Sequence, residues 1–417
     1  MADEEKKAPE LRFKGFLDDW EQRKFEEMLD KNDGVRRGPF GSALKKEIFV
    51  KNSDYVVYEQ QNAIYDNYKT RYNITKEKFD ELHKFSLKEN DFIMSGAGTI
   101  GRISRVPKGI KKGVFNQALI RFRINNELTN PEYFLQFVRA ENMQRKLTGA
   151  NPGSAISNLV PMSEVKKWGV FVPIKAEQKK IGSFFKQLDD TIALHQRMSD
   201  KQKELKANLL QMMFPRNGEK IPEVRLAGFA EDWSQRTLED ISDKVTEKNK
   251  AREFTETLTN SAEYGIISQS DYFDKDISNI NNINGYYVVR PDDFVYNPRI
   301  SNFAPVGPIK RNNLNRIGIM SPLYYVFRPK RVDHTFLEKY FETSYWHIFM
   351  KMNGDSGARA DRFAIKDTIL KEMPIPYPIM EEQVKIGIFF NQLDKSIVLH
   401  QEKIAHLKVL KSTLLNK

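Results

Sequence analysis

Two stretches of the chain place apolar residues at steps of three and four. Over residues 177–213, Ile181, Phe184, Leu188, Ile192, His195, Met198, Gln202, Leu205, Leu209 and Met212 share one face. Near the other end, Ile386, Phe389, Leu393, Ile397, His400, Ile404, Leu407, Leu410 and Leu414 do the same. This spacing predicts two long amphipathic helices with coiled-coil-like seams. Pro173 precedes the first helix and Pro215 follows it, a start and a stop set by proline's fixed φ and missing N–H. Such a helix is ~55 Å long at 1.5 Å per residue. A single apolar stripe needs a partner, and each helix is the obvious partner of the other. Chain order favours an antiparallel pair, with Ile181, Phe184, Leu188 and Ile192 packing in one copy and Ile386, Phe389, Leu393 and Ile397 in the other. The seam histidines, His195 and His400, have no second ligand at metal spacing and read as packed, hydrogen-bonded residues.

The regions before each helix read as mixed α/β. Asp54–Tyr58, Asp91–Met94 and Ala118–Phe122 look like strands between Gly, Asn and Pro breakers. Asn130-Pro131 then caps a helix through Val138. The later region repeats the order: Asp293–Tyr296, Tyr324–Phe327, then a helix from about Thr335 to Trp346. The expected fold is therefore α/β (α+β): two mixed domains joined by a pair of long antiparallel helices in a pseudo-twofold repeat. The expected boundaries are 9–173, 174–215, 216–376 and 377–417.

The repeat is explicit at the ends of each half. Pro9-Glu10-Leu11-Arg12-Phe13-Lys14-Gly15-Phe16 runs on to Asp19-Trp20. It returns as Pro222-Glu223-Val224-Arg225-Leu226-Ala227-Gly228-Phe229 and Asp232-Trp233. Residues 9–29 keep 10 of 21 identities, and residues 177–196 keep 14 of 20 against 382–401. Between these ends identity almost vanishes. Trp20 and Trp233 are expected to anchor the first segment of each half in its core.

Composition narrows the chemistry. The chain has 417 residues, 67 Lys+Arg against 56 Asp+Glu, and no cysteine. Disulfides, thiolate metal sites and cysteine nucleophiles are excluded, which suits a reducing cytoplasm. No apolar run approaches the length of a membrane span. Met1–Lys7 lacks an apolar signal core and reads as a frayed tail. The formal charge is +11, and it is concentrated locally. Residues 102–123 hold Arg102, Arg105, Lys108, Lys111, Lys112, Arg121 and Arg123 and no acid. Residues 290–331 hold Arg290, Arg299, Lys310, Arg311, Arg316, Arg328, Lys330 and Arg331 against Asp292 and Asp293 alone. Both windows follow an Asp-Phe strand. Basic side chains among amides and hydroxyls suit a nucleic-acid duplex, where cations hold phosphates while amides and Arg forks read base edges. The candidates are Thr99, Arg102, Arg105, Lys111, Lys112, Asn116 and Gln117 in the first half. In the second they are Arg299, Ser301, Asn302, Lys310, Arg311 and Arg316. Small-residue loops before each long helix add Asn151, Ser154, Arg359 and Arg362, because small residues let backbone approach a partner closely.

Catalytic motifs are missing. Gly96-Ala97-Gly98-Thr99-Ile100-Gly101 matches a dinucleotide glycine pattern, but Arg102–Val106 reads as a strand where a helix is required. Asn130-Pro131-Glu132-Tyr133 departs from the adenine-methyltransferase Asn-Pro-Pro-Tyr at its third residue. No phosphate loop, zinc-helix motif or nuclease carboxylate spacing stands out.

The repeated ends resemble the specificity subunit of type I restriction-modification systems. The signature is Pro-Glu-[Leu/Val]-Arg-[Phe/Leu]-x-Gly-Phe opening each half. Each half closes with Glu-Gln-x-Lys-Ile-Gly-x-Phe-Phe-x-Gln-Leu-Asp and then Leu-His-Gln. The resemblance covers the chain from about Pro9 onward. It implies two target recognition domains, at 9–173 and 216–376, each binding half of a split double-stranded DNA site. It implies two methyltransferase subunits docked on the helices, restriction subunits outside them, and no catalysis by this chain. S-adenosylmethionine, ATP and Mg would serve those partners. The alternatives are an enzyme with an unrecognised site and a coiled-coil scaffold that binds protein alone.

Overall fold

The computed structural model describes residues 8–149, 159–272, 280–356 and 361–415. The chain divides into two compact units, Met1–Gln196 with Glu402–Lys417, and Arg197–Gln401. The division cuts through both long helices rather than ahead of them, because each helix segment packs on the domain beside it.

The long helices span Lys175–Met212 and Met380–Leu415. In the second unit Gln202 Nε2 donates to Ser396 Oγ at 2.9 Å, and Lys206 Nζ meets Asp394 Oδ1 at 2.6 Å. Rising numbers on one helix meet falling numbers on the other, so the segments are antiparallel. In the first unit Lys411 meets Asp189 at 2.6 Å. Asp189 and Asp394 are equivalent in the repeat, as are Lys206 and Lys411, so both units make the same ion pair with the helices exchanged. Ile386 and Ile397 are buried, while Ile181, Phe184, Leu188, Ile192, Phe389 and Leu393 are half-buried. Met198, Leu205 and Leu410, expected on the seam, are exposed. A 3.6-residue helix drifts away from a 3.5-residue stripe. By mid-helix Ser199 and Lys206 share the sheltered places with Gln202.

Each unit is built on a four-stranded antiparallel sheet of the same order. In the first the order across the sheet is Val35–Arg37, Leu119–Phe122, Phe92–Ser95, Ile103–Arg105. In the second it is Ser242–Lys244, Tyr325–Pro329, Phe294–Tyr296, Ile309–Arg311. The first unit adds a three-stranded sheet of Tyr72–Ile74, Tyr55–Tyr58 and Lys112–Phe115. Helices Pro131–Arg139 and His334–Glu342 pack on these sheets through Phe134, against Phe92 and Phe122, and Phe341, against Phe294 and Phe327, both buried. The helix predicted to run from Thr335 to Trp346 ends at Glu342, where Thr343 Oγ1 bonds Tyr340 O at 2.7 Å, and a second helix begins at Trp346.

The repeated sequence ends meet in space. Arg12 donates two bonds to Glu177, at 2.9 and 2.8 Å, and Arg225 donates two to Glu382, at 2.7 and 2.8 Å. Both carboxylates are almost fully buried. The neighbouring glutamines clamp a helix start. Gln178 accepts from Asn130 N and donates to Pro173 O, both at 2.8–2.9 Å. Gln383 accepts from Asp333 N and donates to Pro378 O in the same way. Asn130 and Asp333 in turn cap the N–H of Tyr133 and Phe336. Gly182 completes the contact, since a Cβ there would lie 2.6 Å from Tyr133 N. Trp233 is buried as expected. Trp20 is not an anchor of the same kind: it is half-buried and lines a cavity.

Candidate nucleic-acid interface

The strand pairing decides which loops can act together. Arg37 pairs with Ile120, Ser95 with Leu119 and Met94 with Ile103. The segments after Arg37 and Ser95, and those before Ile103 and Leu119, therefore emerge at one end of the sheet. Gly38 N bonds Leu119 O at 3.0 Å and Gly96 N bonds Ala118 O at 2.7 Å, which seats these loops side by side. Gly38 is forced by contact, because a Cβ there would lie 1.9 Å from Asn116 O. The Gly96–Gly101 loop is latched by Ser95 Oγ, which accepts from Arg102 N at 3.0 Å, and by Gln144, which donates to Gly101 O at 3.0 Å. Gly98 and Gly101 adopt positive φ, of 62° and 81°. A strand, Ile103–Arg105, follows the loop, so the dinucleotide reading is excluded by geometry.

This end presents Arg37, Phe40, Thr99, Arg102 and Gln117 to solvent, with Asn116 half-buried. Asn116 Oδ1 holds the turn by accepting from Ala118 N. Gln60 stands close by, 3.6 Å from where a Gly98 Cβ would be. The arrangement offers amides, hydroxyls, two guanidiniums and an exposed ring on a rigid base. Arg37, Phe40 and Gln60 lie outside the charge windows of the sequence. The Arg36-Arg37-Gly38-Pro39-Phe40-Gly41 run was the available signal.

The basic window of the first half does not form one patch. Lys111 and Lys112 are exposed at the start of a strand whose far end, Phe115, leads to Asn116. They lie a strand's length, ~10 Å, from the Gln117 turn. Arg105 is neutralised by Glu132 at 2.6 Å and held by Asn90. Arg121 is 1% exposed and bonds Asp33. Arg123 bridges Asp33 and Asp91 at 2.6 and 2.7 Å. Burial opposes the charge on Asp33, but Arg121, Arg36 and Arg123 overcome it and hold the carboxyl down to about 2.

The second window departs further from expectation. Arg311 is tied to Asp292 and Glu338, Arg316 to Glu256, Arg290 to Glu247, Arg328 to Asp293 and Lys330 to Asp243. These are framework ion pairs. Asp293 with Arg328 reproduces Asp91 with Arg123, with bonds of 2.7 and 2.9 Å in both. Lys310 is half-buried on its strand. What remains at the equivalent end of this sheet is the loop 297–308. Ser301 and Ala304 exchange backbone bonds at 3.1 and 3.0 Å, placing Ser301, Asn302 and Phe303 at an exposed tip. Arg299 is exposed, and its backbone pairs with that of Arg362, so the structure brings these two candidates together. Asn151, Ser154 and Arg359 lie outside the described residues.

His195 and His400 are both half-buried. Among the described residues no cluster of three metal-ligating side chains occurs, and no helix is long and apolar enough to cross a membrane.

Two units of one topology, each ending in an exposed polar loop cluster with an aromatic tip, define a duplicated recognition protein. The family assignment agrees. The model of the type I restriction modification DNA specificity domain matches residues 18–206 and again 230–409, and the chain belongs to that family. It is a DNA sequence-specificity subunit of the type I class. No curated protein matches the sequence. Two solved structures share the fold. The S subunit of a type I restriction-modification system from M. genitalium is 14% identical, with 98% of each chain covered and a TM-score of 0.56. A chain from a study of complex assembly and conformational transition of the type I R-M system is 17% identical, covering 95% of this chain and 97% of that one, with a TM-score of 0.53.

Proposed function

We propose that this chain is the non-catalytic reader of its complex, and that each unit recognises one half of an asymmetric, bipartite double-stranded DNA site. The observation that carries this is the pairing of one repeated frame with two unlike loop ends. Thr99, Arg102 and Gln117 stand on one sheet; Arg299, Ser301 and Asn302 stand on the other. Different side chains on the same scaffold read different base edges. The exposed Phe40 and Phe303 are placed for thymine methyl groups or for an unstacked base.

The same reading assigns the chemistry to partners. Two methyltransferase subunits dock on the long helices, whose exposed apolar residues include Leu194, Leu205, Val398, Leu399 and Val409. Restriction subunits join outside them. S-adenosylmethionine, ATP and Mg belong to those subunits. Sequencing the methylated bases of a host carrying this chain with its methyltransferase tests the proposal. Two unlike half-sites separated by unread bases are expected. A continuous or palindromic motif overturns it, as does methylation by the isolated chain.

A further inference from the structure

The first unit holds eleven arginines. Nine of them meet a carboxylate within 4.0 Å. The other two, Arg37 and Arg102, meet none among the described residues. Both are exposed, and both stand at the same end of the four-stranded sheet. The segments that form this end, 37–43, 95–102 and 116–119, contain no Asp or Glu. Elsewhere in the unit each arginine is neutralised as part of the fold. Here two positive charges stay available to an anionic or acceptor-rich partner.

The two guanidiniums are held differently. Arg37 Nε donates to Gln117 O in a long bond of 3.5 Å, which leaves Nη1 and Nη2 without a partner among the described residues. The segment that carries Arg37 is pressed onto the Gln117 turn. Pro39 is buried. A Cβ on Gly38 would lie 2.7 Å from Gln117 N, and one on Gly41 would lie 3.0 Å from both Oε1 and Nε2 of Gln117. Arg37 and the Gln117 amide are therefore seated together on a packed base. The side chain of Arg102 has no such tether; only its backbone is latched, through Ser95 Oγ.

This difference separates two kinds of contact. A guanidinium steadied through Nε presents Nη1 and Nη2 as a fork that matches O6 and N7 of guanine. Reading the amino group of cytosine calls for a carboxylate, and this end has none. An untethered guanidinium on a long side chain suits a phosphate, which accepts hydrogen bonds from many directions. We propose that Arg37 is a specificity-determining residue that reads a guanine in the half-site of the first unit, while Arg102 holds a phosphate. This assignment rests on the reading of this sheet end as a DNA interface and adds the base that it selects.

Sequencing the methylated bases of hosts that carry the parent chain, Arg37→Ala or Arg37→Gln, each with the methyltransferase, gives the first test. Arg37→Ala should make one guanine of one half-site degenerate and leave the other half-site unchanged. Arg37→Gln should move the preference at that position toward adenine, whose N6 and N7 fit an amide. The second test titrates the assembled complexes with duplexes carrying each base at that position. Arg37→Ala should lose about tenfold to a hundredfold in discrimination there and keep the parent's salt slope. Arg102→Ala should keep the motif and lower the slope by about one. A bipartite parent motif that Arg37→Ala leaves intact overturns the assignment alone. So does a relaxed base other than guanine, or uniform weakening with a lower salt slope, which would put Arg37 on a phosphate. A parent motif that is not bipartite overturns the two-reader proposal beneath it.

Discussion

Arg225→Met is the most direct test of the repeated frame. Glu382 has 0% of its side chain exposed, and Arg225 supplies both of its charged hydrogen bonds, at 2.7 and 2.8 Å. Removing the guanidinium strands a carboxylate in the interior. Breaking one partner of such a pair costs about 3–5 kcal/mol, because the remaining charge is left uncompensated. For a unit of this size, 1 kcal/mol moves the midpoint by about 2–4 °C, so the transition should fall by roughly 6–20 °C. The double variant Arg225→Met/Glu382→Met removes both charges and restores apolar volume. It should recover to within about 1 kcal/mol of the parent, since replacing a whole buried pair by packed apolar groups is often neutral. Urea titration of the full chain gives the free energies. Hydrogen exchange of amides in the second unit shows where stability is lost. Two results refute the reasoning: a single variant that costs under about 1 kcal/mol, or a double variant as unstable as the single. The first would mean water reaches Glu382. The second would mean the pair contributes shape rather than charge.

Three further outcomes follow from the same structure. Gly38→Ala drives a Cβ to 1.9 Å from Asn116 O, so it should cost about 1–3 kcal/mol in a thermal or urea melt and disorder the Gln117 turn. Arg102→Ala should leave folding unchanged, weaken DNA binding by the assembled complex, and lower the salt slope of log K by about one in a fluorescence titration; a loss of methyltransferase assembly instead would place Arg102 at a protein interface. Burial, aided by Lys351, pushes His347 from 6.5 down to about 4; the folded second unit refuses a proton that the unfolded chain accepts, so stability is full above about pH 6.5 and lost as pH falls toward 4, and His347→Gln should flatten that dependence in melts taken from pH 4 to 7.

The frame was legible because its determinants are local or repeated. Helix periodicity, Asn130 with its proline, and the duplicated Glu-Gln pair needed no knowledge of tertiary contacts. The interface was legible only in part. Thr99, Arg102 and Gln117, which share one stretch of sequence, come together because the sheet carries them on adjacent loops. Arg105, Arg311 and Arg316 were misread because carboxylate partners outside the charge windows, Glu132, Glu338 and Glu256, stand 27 to 60 residues away. A charge window sees cations, and it cannot see distant anions that fold onto them. Lys111 and Lys112 were misplaced for a different reason: a strand carried them to the opposite end.

The same geometry explains why identity is confined to the ends of each half. The residues that join frame to sheet gather at the end from which Asp91 and Asp293 begin their strands. Those aspartates hold Arg123 and Arg328. Asn130 and Asp333 follow a few residues later and receive Gln178 and Gln383. The loops carrying Arg102 and Ser301 leave from the opposite ends of those strands. Three or four residues of strand, ~10–13 Å, separate the two sets. A substitution at Thr99 or Asn302 therefore touches nothing that Glu177 or Glu382 requires. Conversely, no change at the loop end can compensate for a lost Arg12 or Arg225. Free variation at one end and fixed identity at the other is the pattern that this separation permits, and it is the pattern the two halves of the chain display.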